Sequence, residues 1–178
     1  MLILTEIVAQ YQKNYLQKLD DELNYYKSLN LIDCINYATR ALGRTGKKHS
    51  HQRRLEIIML QKMAEILAEL ENEISQMINF DELHNLIKKK AIKRFGVVAI
   101  YDTTLRIGYH LGIFPTCVYL HAGVREGAEK LLGVSNKTIS IKLEDMPEEL
   151  KTSNAYHIEN LLCIYKTGKL HKDKHKAC

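Results

Sequence analysis

The stretch "KKKAIKRFGVVAIYDTTLRIG", Lys88 to Gly108, places five cations in its first seven positions and then, past Gly96, an apolar run with helical spacing. Leu83, Leu86 and Ile87 make one apolar face just before it, so the lysines close a helix. Cations in a last helical turn complement the negative end of the helix dipole, which accounts for Lys88, Lys89 and Lys90. Lys93 and Arg94 lie at or past that end, and a second helix from about Ala99 to Leu111 follows the turn. Its first amides have no partner within the helix. A helix, a short glycine turn and a second helix, with cations beside unpaired amides, is an arrangement suited to holding phosphate.

Working outward, Asn79 with Glu82 three residues on reads as the start of the lysine-bearing helix, with Ile78 and Leu83 as an apolar staple. Before it, Leu60, Met63, Leu67, Leu70, Ile74 and Met77 form a heptad-like seam. That seam fits packing on the first helix inside one bundle, or a protein partner or homodimer through the helix at 57–78. At the N-terminus Val8, Tyr11, Tyr15, Leu19, Leu23 and Tyr26 mark one stripe of a long first helix, and a second helix covers Leu31 to Leu42. The segment GRTGKKHSHQRR has no periodic face and reads as a loop. On the C-terminal side, Gly108, Gly112, Gly123 and Gly127 suggest close helix packing, and Ile139, Ile141 and Leu143 alternate with polar residues as in a short strand. Ser153 reads as the cap of a last helix with Ile158, Leu161, Leu162 and Tyr165 inward.

Only 9 Gly and 2 Pro in 178 residues, with 46% apolar residues, give a helix-forming composition with enough material for a core. The expected fold is therefore mainly all-α: a compact multi-helix domain with a hairpin turn and at most one short strand pair. The predicted organisation is an N-terminal helical pair at 1–43, a basic loop at 44–54, a helical core at 55–166 with the hairpin near 92–112, and a basic disordered tail at 167–178. Its histidines, His171 and His175, are helix-spaced. Four widely spaced cysteines without metal-ligand spacing suggest reduced thiols. No signal-peptide core or run of eighteen apolar residues is present, so the expectation is a cytoplasmic protein with no membrane association.

The net charge of +5 is modest, yet the cations are segregated. Arg40, Arg44, Lys47, Lys48, Arg53 and Arg54 come without an intervening acid, Lys88 to Arg94 form a second cluster, and the tail a third. Such patterning can create a surface for a polyanion, or three solvated segments pointing apart.

Two resemblances add to this reading. The run Ile92 to Ala99 resembles a degenerate helix-hairpin-helix turn, whose pattern is apolar-x-Gly-apolar-Gly-x-x-Thr/Ala. The run Leu120 to Leu131 is similar to a segment of helix-hairpin-helix DNA glycosylases. In that comparison Arg94 takes the place of the first hairpin glycine, His121 stands where the family carries its catalytic aspartate, and Val98 falls near the lysine of bifunctional members. The segments GKKHSHQRR, YDTTLRIG and IENLLCIYK also resemble an uncharacterised group of bacterial helical proteins.

The favoured function is a nucleic-acid-binding protein that holds duplex DNA by its phosphates without evident catalysis. The binding residues are expected to be Lys89, Lys93, Arg94, Gly96 and Val97 of the hairpin with Arg44, Lys47, Lys48, Arg53 and Arg54 of the loop. A divergent base-excision glycosylase or nuclease is one alternative, with Asp102 and His121 as its candidate catalytic residues; a helical protein-protein adaptor is another. Asp102 and Arg106 fit an intrahelical i, i+4 ion pair. His49 and His51 read as part of a solvated loop, or as contacts to phosphate or an acidic partner. No metal or cofactor is implied.

Overall fold

The computed structural model describes residues 3–170 and is mainly α-helical. The predicted disordered tail lies outside the described residues from position 171 onward. Contacts divide the chain into two units: residues up to Asp20 group with those from Thr116 onward, and Asp21 to Pro115 form the other. The predicted boundaries near 43, 54 and 166 follow changes in composition, whereas the units follow tertiary contacts.

The long first helix is made of α1 (Leu4–Tyr11), one π-helical turn at Gln12–Leu16, and α2 (Gln17–Lys27). The wider π turn shifts the stripe that strict 3.6-residue spacing predicts. Ile7, Val8 and Tyr11 therefore join the core of the first unit, while Leu23 and Tyr26 are buried in the second.

The second unit continues with α3 (Leu31–Thr39), α4 (Ile57–Ala68), the short α5 (Glu71–Ser75), α6 (Phe80–Lys90) and α7 (Val97–Leu111). Asn30 and Asn79 cap α3 and α6 with side-chain oxygens that accept from Asp33 N and Glu82 N, each at 2.9 Å. The staple predicted beside Asn79 does not form, since Ile78 is 80% exposed. Of the heptad seam, Leu60, Met63, Leu67 and Ile74 are buried, and the helix breaks near Leu70. These residues pack in one cluster with side chains of α3, α6 and α7 and with Tyr26 of the first helix.

The first unit resumes with β1 (Cys117–Tyr119), α8 (Ala122–Leu132), β2 (Ser140–Lys142), α9 (Glu148–Lys151) and α10 (Ala155–Tyr165). The predicted strand finds an antiparallel partner, with Val118 opposite Ile141. The last helix has Asn154 as its N-cap residue, one after the predicted Ser153 and without a side-chain cap hydrogen bond, and is buried along its whole length. Cys34 and Cys117 carry reduced thiols, as predicted for them.

Gly127 lets α8 lie directly on α10. A Cβ there would stand 1.8 Å from the Leu162 carbonyl oxygen, a backbone atom that cannot swing aside. Gly127→Val is therefore expected to destabilise the protein by roughly 1–3 kcal/mol or more. Gly96→Ala, where a Cβ would meet nothing within 4 Å, should stay within about 1 kcal/mol of native. Thermal and urea unfolding followed by circular dichroism measure both.

Candidate nucleic-acid interface

The hairpin is built from its buried residue outward. Phe95, 3% exposed, anchors the turn between α6 and α7 in the core of the second unit. Around it Lys88, Lys89, Lys90, Lys93 and Arg94 are exposed, as are Gly96 and Val97. Gly96 is the extended N-cap of α7, and no side chain caps the helix. The first amides of α7 thus begin at an open glycine rather than beneath another helix.

Arg94 has φ of 76°, the left-handed region that glycine occupies without strain. Its guanidinium forms an ion pair with Glu56, the N-cap residue of α4. This pair sets the hairpin turn beside the exit of the basic loop, because Glu56 follows Arg53 and Arg54 by three and two residues.

The loop itself is folded. Gly43 N donates to Lys47 O at 3.0 Å and His49 N to Ala41 O at 2.9 Å, and a short turn covers Ser50–Gln52. Lys48 closes the loop from within, its Nζ donating to the carbonyls of Leu55 at 2.7 Å and Arg53 at 3.2 Å. Arg44, Lys47, Arg53 and Arg54 remain exposed.

Beneath the loop lies a cluster drawn from α2, the loop and α7. Arg106 is 3% exposed; its Nη1 donates to Gln52 Oε1 at 3.0 Å and to Ala38 O at 3.3 Å, and Glu22 Oε1 is 3.9 Å from Nη2. His51 Nε2 meets Asp102 Oδ2 at 2.8 Å. Tyr26 donates its hydroxyl proton to Leu42 O at 3.0 Å, and its oxygen lies 2.7 Å from His49 Nε2. The Leu42 carbonyl can only accept, so His49 fits as the neutral Nε2–H tautomer donating to the tyrosine oxygen. Burial, then the positive charge of Arg106, pushes the His49 pKa down to about 3. Burial raises that of Glu22.

The two loop histidines are thus packed rather than solvated, because Glu22 and Asp102 wait for them on α2 and α7. Asp102 and Arg106, expected to pair along one helix, both reach beyond it. His121, the N-cap of α8, lies in the other unit, where its Nε2 is 3.2 Å from Glu159 Oε1 and both side chains are 9% exposed. In the same unit Tyr11, His157, Asp20 and Asn160 form a second buried polar chain. Among the described residues no group of three His, Cys, Asp or Glu side chains is arranged to hold a metal ion, and no helix is long and apolar enough to cross a membrane. No protein-family model, curated protein or solved structure matches the chain.

Sequence reading missed Glu22, Tyr26 and Gln52 as members of the cluster. Tyr26 was accounted for by the apolar stripe and Gln52 by a charge run. The signal available was the polar pattern of α7 itself, where Asp102, Thr103, Thr104 and Arg106 interrupt an otherwise apolar helix.

His49 also gives the fold a pH dependence. Its folded pKa of about 3 lies below the ordinary 6.5, so the unfolded chain binds the extra proton and stability falls as pH drops through 6.5 toward 3. Glu22, raised by burial, acts in the opposite direction at lower pH. Between pH 7.5 and 5.5 the native protein should lose about 1 kcal/mol through His49, and His49→Gln should lose correspondingly less. Urea midpoints of both proteins at the two pH values check this.

Proposed function

We propose that the second unit binds duplex nucleic acid, with duplex DNA the favoured form, through its phosphates and without catalysis. The observation that carries this reading is the pair of contacts joining the two basic segments. Arg94 to Glu56 ties the hairpin to the loop exit, and His51 to Asp102 ties the loop to the hairpin's second helix. Cations 40 residues apart in sequence then act on one ligand, and a polyanion is the ligand that rewards such gathering.

Roles differ within the set. Lys89, Lys93, Arg44, Lys47, Arg53 and Arg54 are exposed and free to neutralise phosphate. The amides at Gly96 and Val97 would donate to an anion at the positive end of α7. Arg94 holds the turn through Glu56 and contributes less net charge, and Lys48 keeps the loop closed. The enzymatic alternative would use Asp102, already paired with His51, or His121 with Glu159, which are nearly closed to solvent. Binding makes fewer demands on them.

Affinity for a labelled duplex should fall steeply with salt. Lys89→Ala and Lys93→Ala together should lower the slope of log affinity against log salt by about 2, at ~0.9 per phosphate contact. Fluorescence anisotropy at several salt concentrations measures this. Failure of the native protein to bind duplex at low salt would contradict the reading.

A further inference from the structure

The first unit carries a cavity of about 470 Å³. Leu131 and Leu132 at the end of α8 form one wall, and Gly133, at φ of 65°, turns the chain so that Val134 lines it too. Ile141 of β2 and Leu4, the first residue of α1, add two more aliphatic side chains, and the segment leading into α9 completes the lining. These five side chains pack against the core of the unit yet are only half-buried, so the cavity keeps apolar surface in contact with water. Asp145, at the end of the turn Leu143–Asp145, is the one charged residue among the described residues that line it.

Size and lining together define the occupant. Small-molecule sites span roughly 300–1,000 Å³ and are mostly apolar, with a few polar groups that fix orientation. Among the described residues no aromatic side chain lines this one, so it offers neither a stacking face for a ring nor an aromatic cage for a quaternary ammonium. Aliphatic walls match an aliphatic chain. The sign of the polar end follows from charge: residues 142–151 hold four acids against two lysines, and both lysines are engaged. Lys142 Nζ meets Glu144 Oε1 at 3.1 Å, with a weaker pull from Asp145, and Lys151 Nζ meets Glu148 Oε1 at 2.6 Å. We propose that this cavity binds a free aliphatic amine, with its alkyl chain against the leucine and isoleucine walls and its ammonium at the Asp145 carboxylate. The site belongs to the first unit and does not depend on the nucleic-acid reading of the second.

The test titrates the full chain at neutral pH with n-hexylamine, n-octylamine and n-decylamine below their micelle concentrations, read by calorimetry. Octanol and octanoate serve as neutral and anionic ligands of equal length. Affinity should rise about fourfold for each added methylene, and octylamine should bind more tightly than octanol or octanoate. Asp145→Asn, at an exposed position, should weaken octylamine about two- to fivefold and leave octanol unchanged. Val134→Phe, which fills the cavity, should abolish binding of all three amines, with circular dichroism confirming that both variants fold. Methyl signals of Leu131, Leu132 and Ile141 should shift on titration.

No saturable binding of decylamine to the native protein would overturn this inference. Octanoate binding as tightly as octylamine would do so as well, as would an octylamine affinity that Asp145→Asn leaves unaltered. Native-like amine binding by folded Val134→Phe would place the ligand elsewhere and reject the cavity. Self-association in sedimentation that Val134→Phe abolishes would make the cavity an interface between copies. Duplex binding, read on the second unit, is untouched by each of these results.

Discussion

A buried guanidinium is the constraint on which the second unit depends. Removing a charged arginine from water costs several kcal/mol unless its donors find partners, and Arg106 finds them only when separate segments arrive together. Ala38 supplies a carbonyl from α3, Gln52 a side-chain oxygen from the loop, and the Tyr26 ring of α2 lies 5.6 Å beneath the charge. Thus α2, α3, the loop and α7 are held by one side chain. Breaking any one partnership leaves a buried charge under-satisfied, which is more destabilising than the loss of a surface pair.

This arrangement gives a glycine-containing, cation-rich segment a definite shape. Inside the loop, Lys48 and the histidines turn toward backbone carbonyls, Glu22 and Asp102. Arg44, Lys47, Arg53 and Arg54 are left outside. The internal acids are near the histidines and Arg106, so they do little to cancel the outward cations. At the hairpin the same separation recurs: Phe95 is inward, Lys93 outward, and Arg94 is held by Glu56.

Much of the helical framework was legible because periodicity and capping are local. The Asn79 cap, the lysine-ended α6, the turn at Gly96, the inward seam of α4 and the close helix packing at Gly127 all follow from residues a few positions apart. What was illegible depends on distant partners. The β2 strand could be read from its alternation, but its partner at Cys117–Tyr119 carries too short a pattern. The π turn alters the first helix's face without a distinctive residue. His49 and His51 looked solvated because the acids that receive them lie 27 and 51 positions away.

Hydrogen exchange at the loop amides tests the central claim most directly. His49 N, Gln52 N and Leu55 N each donate to a backbone carbonyl in a loop fastened by Arg106 through Gln52. In the native protein these amides should exchange well below their unstructured rates. In Arg106→Leu they should lose that protection while the amides of α10 in the other unit keep theirs. Loop amides that exchange at unstructured rates in the native protein would contradict the account.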